Sequence, residues 1–252
     1  MNLGLDGKKV LVTGGSKGLG LGIAKLFLEE GAQVGICGRN ETSLQEAKQQ
    51  IPSLEIFQGD VTNEQDRQAL IDAFLDRFGT IDVLINNAGG SNGTDSMNTP
   101  LAQFEESLQL NFLSAVAMSK LAATTMMTHN EGVIVNISSV FGREAGGKPT
   151  YNASKAAMIS FTKSLADELI GQGIRVCGVA PGSVLHPTGN WQKRLEENPE
   201  KIKTFVEQSI PAGRFGTVEE IANTVVFLAS KRASWVSGAT LNVDGGQSKS
   251  NF

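Results

Sequence analysis

The sequence is poor in several features that would each announce a function. Basic charge is one: 22 Lys and Arg stand against 26 Asp and Glu, a net charge of −4, so there is no positive field to hold a phosphate backbone. Aromatic residues make up 6% of the chain, which leaves few platforms for stacked bases. Nucleic acid is not an expected partner. The two histidines, His129 and His186, stand alone, without the spaced Cys, His or carboxylate partners of a zinc site, and no metal is expected. The two cysteines, Cys37 in "VGIC" and Cys177 in "IRVCGV", lie in apolar, β-branched runs. That is the setting of buried thiols in a reducing compartment, not of a disulfide framework. No apolar run reaches the roughly 18 residues of a membrane span, and the N-terminal stretch has neither a charged leader nor a long apolar segment. Together these absences point to a cytoplasmic protein that has no membrane partner.

What the chain does have is regular alternation. The runs "KKVLVT", "AQVGIC", "LEIFQGD", "IDVLINNAG", "GVIVNISS", "IRVCGVAPG" and "ATLNVDGG" are separated by helical patterns over residues 19–30, 41–50, a stretch ending near 78, 101–128 and the segment from Tyr151. Apolar runs of this kind between helices predict parallel strands buried on both faces. The expectation is one α/β domain over residues 1–252, a Rossmann-type doubly wound, seven-stranded parallel sheet with helices on both faces. One irregular stretch, 183–213, follows the C-terminal end of a strand and so lies on the edge where such sheets bind ligands. It reads as a mobile substrate lid, offering His186, Asn190, Trp191 and Gln192; the alternative is a solvated surface helix with no part in binding.

Two local patterns carry chemistry. In "VLVTGGSKGLGLGIAKL", Gly14, Gly18 and Gly20, with Ser16, Lys17 and Leu19 among them, join the first strand to the first helix. Glycines let the backbone turn sharply against a pyrophosphate, and the helix N-terminus supplies free amides. The spacing is G-x-x-x-G-x-G, not the general G-x-G-x-x-G fingerprint. The second strand ends in "ICGRN", with Arg39 where a chain that prefers NAD places an acid on the ribose 2′-OH. Arg39 and Lys17 would pair with a 2′-phosphate, which favours NADP(H); the plainer reading is two solvated surface charges.

The second pattern is "YNASK". Tyr151 is the only tyrosine, and Lys155 follows four positions on. In a helix the two stack on one face, so the ammonium can lower the phenol's pKa. The same pair also suits an ordinary packed ring with a solvated lysine beside it.

The glycine turn, "NNAG" at 86–89, "NISS" at 136–139, "YNASK" at 151–155 and "APG" at 180–182, in that order, together resemble the short-chain dehydrogenase/reductase family, over essentially the whole chain to "VDGG" at 243–246. Within it the sequence is similar to the 3-oxoacyl-[acyl-carrier-protein] reductase and carbonyl reductase branch. The resemblance implies a catalytic group of Asn111, a serine of the Ser138–Ser139 pair, Tyr151 and Lys155. The common distance from serine to tyrosine selects Ser138; the flanking "SSVFG" pattern selects Ser139, which is preferred. By the same resemblance Asp60 and Val61 bracket the adenine, Asn87, Ala88 and Gly89 line the cofactor cleft, Pro181 and Gly182 form the turn beneath the nicotinamide, Val184 is a further cofactor-binding residue, and Thr188 bonds the carboxamide. A homotetramer is implied as well, built on helices 101–128 and 151–172 and the C-terminal region.

The expected activity is NADPH-dependent, reversible reduction of a carbonyl compound to an alcohol, with a small-molecule substrate. A 3-oxoacyl thioester and a sugar or polyol are the alternative substrates. "HNEG" and "GQG" stand where reductases of carrier-bound thioesters tend to have basic residues. An inactive NADP-binding regulatory protein is the alternative of another class.

Overall fold

The computed structural model describes residues 2–251. Seven parallel strands form one sheet in the order β3-β2-β1-β4-β5-β6-β7. They are β1 (Lys9–Thr13), β2 (Gln33–Gly38), β3 (Glu55–Gln58), β4 (Val83–Asn86), β5 (Gly132–Ile137), β6 (Ile174–Pro181) and β7 (Thr240–Val243). The connecting helices are α1 (Gly18–Glu29), α2 (Glu41–Gln50), α3 (Glu64–Phe78), α4 (Leu101–Leu108), α5 (Ser114–His129), α6 (Pro149–Leu169), α7 (Asn190–Glu197), α8 (Pro199–Ser209) and α9 (Val218–Ala229). None of the helices among the described residues is long and apolar enough to cross a membrane.

The strands alternate in the side they serve. Val10, Val12, Val83, Ile85, Val133 and Val135 face one core with Ile23 and Phe27 of α1 and Val225 and Leu228 of α9. Leu11, Leu84 and Ile134 face the other, with Phe74 of α3, Met118 and Met126 of α5 and Leu165 of α6. Both faces of the central strands are therefore largely apolar, which is why these strands read as hydrophobic runs. Helix starts follow local chemistry: Asn40 and Asn63 accept from the backbone amides of Ser43 and Asp66 at 2.8 and 3.0 Å, and Thr217 with Glu220 makes a capping box.

Two elements depart from regular expectation. The helical stretch 101–128 is interrupted by a π-turn, Gln109–Leu113, in which the Ser114 amide bonds back to Gln109 O. The irregular insert 183–213 holds two helices, parted where Pro199 lacks an amide and turns Asn198 out of helical geometry (φ −153°, ψ 82°). The insert carries a small core of its own: Trp191 stacks on Phe205 with centroids 4.5 Å apart and meets Phe215 at 5.3 Å.

Across the strand pair at the sheet's centre runs a buried polar chain. Asn86 Nδ2 donates to Asn136 Oδ1 and to Ser119 Oγ, both at 2.8 Å, and Asn136 Nδ2 donates to Thr162 Oγ1 at 2.9 Å. It ties β4 and β5 to α5 and to α6, the helix that carries Tyr151 and Lys155. Asn136→Ala leaves donor and acceptor groups unpaired at a fully buried position, so it should lower unfolding free energy by about 2 kcal/mol, read as a shifted urea midpoint with an unchanged slope.

Candidate active site and cofactor cleft

The order of the sheet reverses between β1 and β4, and the connections leaving these strands part to open a crevice at their C-terminal ends. Thr13, the last residue of β1, donates its hydroxyl to Ile85 O at 3.2 Å and accepts from the amides of Asn87 and Ala88 at 3.0 Å. Asn87 replies with its side chain, which donates to Thr13 O and Gly14 O at 3.0 Å. The turn at Gly14 needs a left-handed φ of +62°, open to glycine. At Gly20 a Cβ would stand 2.4 Å from Gly14 O and 2.5 Å from Asn87 Nδ2. Helix α1 then starts with no side-chain cap and no acid in its first turn, leaving its amides to an anion.

This turn forms one wall of a cleft of about 1380 Å³. Of the residues singled out from sequence for cofactor or chemistry, all but Asn111 line it. Arg39 sits at the far end, 67% exposed, with Nη1 3.5 Å from Asp60 Oδ2. Burial pushes the Asp60 carboxyl up, but the Thr62 hydroxyl and amide and the Arg39 guanidinium outweigh it and hold the group below its ordinary range.

At the opposite end stand Ser139, Tyr151 and Lys155. Pro149 opens α6, which suits proline because a first-turn amide is not needed, and places Tyr151 at the cleft. One turn on, buried Lys155 donates Nζ to Ile137 O at 2.7 Å and lies 5.6 Å from the Tyr151 ring centre. Burial depresses its ammonium to about 8. The phenol moves the other way from the expectation: burial raises the Tyr151 pKa, and the Ser139 hydroxyl beside it pulls part of that back. Desolvation of the buried phenol is the larger of the two effects.

The two serines have different surroundings. Ser138 donates Oγ to Lys155 O at 3.1 Å, bracing α6. Ser139 caps a short turn, accepting from the Phe141 amide at 3.2 Å, and faces the phenol. Asn111 is fully buried behind the cleft wall in the π-turn. Its amide accepts from Gly90 N and donates to Gly90 O, each at 2.9 Å, and donates to Ser107 O at 3.0 Å.

The family described as "Enoyl-(Acyl carrier protein) reductase" matches residues 14–248. The chain is 37% identical over 252 residues to a 3-oxoacyl-[acyl-carrier-protein] reductase of Chlamydia muridarum, covering 98% of this chain and 99% of that one. It is 35% identical over 244 residues to L-fucose dehydrogenase of Bos taurus, covering 95% and 89%. The chain belongs to the short-chain dehydrogenase/reductase family. A solved relative, L-sorbose reductase from Gluconobacter frateurii complexed with NADPH and L-sorbose, superposes with a TM-score of 0.93 at 30% identity, covering 99% of this chain and 100% of that one. As a family member the protein is an oxidoreductase that acts on hydroxyl or keto groups with a nicotinamide cofactor.

The residues present fit such a cofactor. The glycine turn is a cradle that a single Cβ would fill, the start of α1 is uncapped, and the cleft runs unbroken from Arg39 to Tyr151. Sequence reasoning missed Thr13, the residue that fixes the turn, and the part of Ser138 in holding α6. A hydroxyl at a strand end gives no local signal of what lies across the crevice. Gly20→Ala should weaken binding of a nicotinamide dinucleotide by at least about tenfold in calorimetric titration, since its Cβ collides with a backbone oxygen.

Proposed function

We propose that the protein catalyses NADPH-dependent, reversible reduction of a ketone to an alcohol, with Tyr151 as proton donor. The observation that carries this reading is the meeting of two hydroxyls, of Ser139 and Tyr151, at the end of the cofactor cleft, above a buried lysine. When bound, the nicotinamide supplies the hydride. The substrate carbon accepts it, and the carbonyl oxygen, gaining electron density, takes hydrogen bonds from Ser139 and Tyr151. The Tyr151 proton then passes to that oxygen, completing the alcohol. A raised phenol pKa keeps this proton in place at neutral pH, while the Lys155 ammonium stabilises the phenolate left behind. Asn111 fixes the Gly90 backbone and so holds the cleft wall beside Lys155. In the alcohol-to-ketone direction each step reverses.

For the cofactor, NADP(H) is favoured by Arg39 and Lys17 at the mouth of the adenine end and by the absence of an acid at the end of β2. The relative described as complexed with NADPH supports the same choice. For the substrate, the rim carries Lys148, Arg194 and Lys201 against Glu197, a basic edge that suits a polar or anionic carbonyl compound. The "HNEG" and "GQG" loops lie together, Gly173 against Asn130 O, at the starts of β5 and β6, away from the cleft. The relatives named for a carrier-bound thioester and for sugars make those the two substrate classes to test first. The homotetramer implied by the family resemblance would have apolar surface to bury in exposed Leu113, Phe227, Leu241 and the 99% exposed Trp235, the last near edge strand β7. Buried free Cys37 and Cys177 suit the reducing cytoplasm.

Cofactor consumption should be followed against a 3-oxoacyl thioester, small and aryl ketones, and keto sugars. Turnover of one group is expected, with NADPH preferred over NADH by about tenfold or more, a preference that Arg39→Ala reduces. Tyr151→Phe should lose about 10³-fold or more. Unaltered turnover in Tyr151→Phe would sink the mechanism, and tight NADPH binding without turnover on every group would favour the regulatory reading. The pH profile supplies a second check. Lys155 holds its charge below about pH 8 and loses it above, so the rate of ketone reduction should be level below that pH and fall about tenfold per unit above it. A flat profile through this range would remove Lys155 from the mechanism.

A further inference from the structure

His186 opens the insert, two residues after the bridge between Val184 and Gly216. Sequence reading left it as one of several lid residues, and the mechanism above does not use it. Its position is specific. A Cβ built on Gly18, the first residue of α1, would stand 2.8 Å from the imidazole Cε1 and 3.3 Å from Nε2; one built on Gly189 would stand 2.9 and 2.8 Å from the same atoms. The ring is thus wedged between the cofactor turn and Gly189, the residue that precedes α7. Gly18 has φ +57°, so a larger residue is excluded there by conformation as well as by the ring.

Inside this wedge, Nδ1 lies 3.2 Å from Thr188 Oγ1, which leaves Nε2 as the nitrogen on offer to a ligand. The ring also lines the cleft, beside Ser16, Lys17 and the uncapped start of α1. That is where a dinucleotide's negative charge gathers. Charged neighbours are few: from the glycine turn, Lys17 acts on the ring; from its own segment, Thr188 and Gly189 are uncharged. Burial and Lys17 both hold the imidazole below its ordinary pKa, so at neutral pH the free protein carries it uncharged. An anion placed between Lys17 and the ring reverses that balance, since it attracts the imidazolium.

We propose that His186 is a ligand of the bound cofactor's diphosphate, and that dinucleotide binding is coupled to proton uptake at this imidazole. The proposal rests on the nicotinamide dinucleotide binding at the glycine turn. It adds a residue that joins the insert to the cofactor: the same contact that neutralises the diphosphate pins the start of the insert against α1. By linkage, whatever favours the protonated ring favours bound cofactor, and the reverse holds equally.

The test is calorimetric titration of the full chain with NADPH, in buffers of different ionisation enthalpy, beside His186→Gln and His186→Phe. The first keeps a polar side chain without a proton to gain; the second keeps a ring in the wedge. Native protein should take up roughly half a proton or more at neutral pH beyond either variant. Its affinity should also rise by about tenfold more than theirs on going from about pH 8 to 6. Comparing the three proteins on the same ligand cancels titration of the 2′-phosphate. Equal proton uptake and equal pH dependence in all three would overturn the role of His186 while leaving the cofactor site standing. Failure of native protein to bind NADPH or NADH would overturn the cofactor reading, and the proposal with it.

Discussion

The cleft depends on a clasp between two strand ends. Where β1 and β4 part, Asn87 donates its backbone and side-chain amides to Thr13 and Gly14, and these bonds hold Gly14 and the amide of Ala88 in one fixed relation. The glycine turn and the adjoining cleft wall are both referenced to that clasp. The turn it holds aims the start of α1 into the crevice, and the Asn87–Gly90 backbone runs on to meet Asn111. A parallel sheet opens a crevice at its switch point by topology alone; the clasp gives that crevice a floor of definite shape.

The chemical end of the cleft is organised around one difficult charge. Lys155 is buried and its ammonium falls from 10.5 to about 8, a penalty on the order of 3 kcal/mol in the folded state at neutral pH. Because the folded pKa is depressed for a base, this penalty is present in full below about pH 8. It is relieved as the pH climbs towards the ordinary lysine value. The carbonyl of Ile137 compensates in part, and the Ser138 bond to Lys155 O fixes the helix so that the ammonium stays near the phenol. A group held at such a cost where Tyr151 and Ser139 converge is more readily understood as chemistry than as packing.

Much of this was legible in sequence, and the parts that were not share a cause. The sheet showed itself because strands buried on both faces are unbroken apolar runs, and Glu41–Gln50 emerged as α2 because its cap and polarity are local. The grouping of Gly14, Gly20, Tyr151 and Lys155 along one cleft followed from motif order. The π-turn at Asn111, the separate jobs of Ser138 and Ser139, and the upward shift of the phenol all depend on contacts across the fold. No spacing rule encodes the depth at which a side chain sits. The pairing of Arg39 with Asp60 was hidden in the same way, since it joins the ends of two strands that meet only in the sheet. The break within the insert is local, in Asn198–Pro199, where the proline bars a continuous helix.

The chain's single tyrosine turns an accident of composition into an optical label. Phenolate absorbs where neutral phenol does not, and Tyr151 has no second ring of its kind to dilute the signal. The two tryptophans divide as cleanly: Trp191 is stacked within the insert beside the cleft, whereas Trp235 is 99% exposed. Ultraviolet difference spectra of the native protein therefore report ionisation at one atom, and quenching of emission by water-borne solutes separates the insert from the surface without any introduced dye.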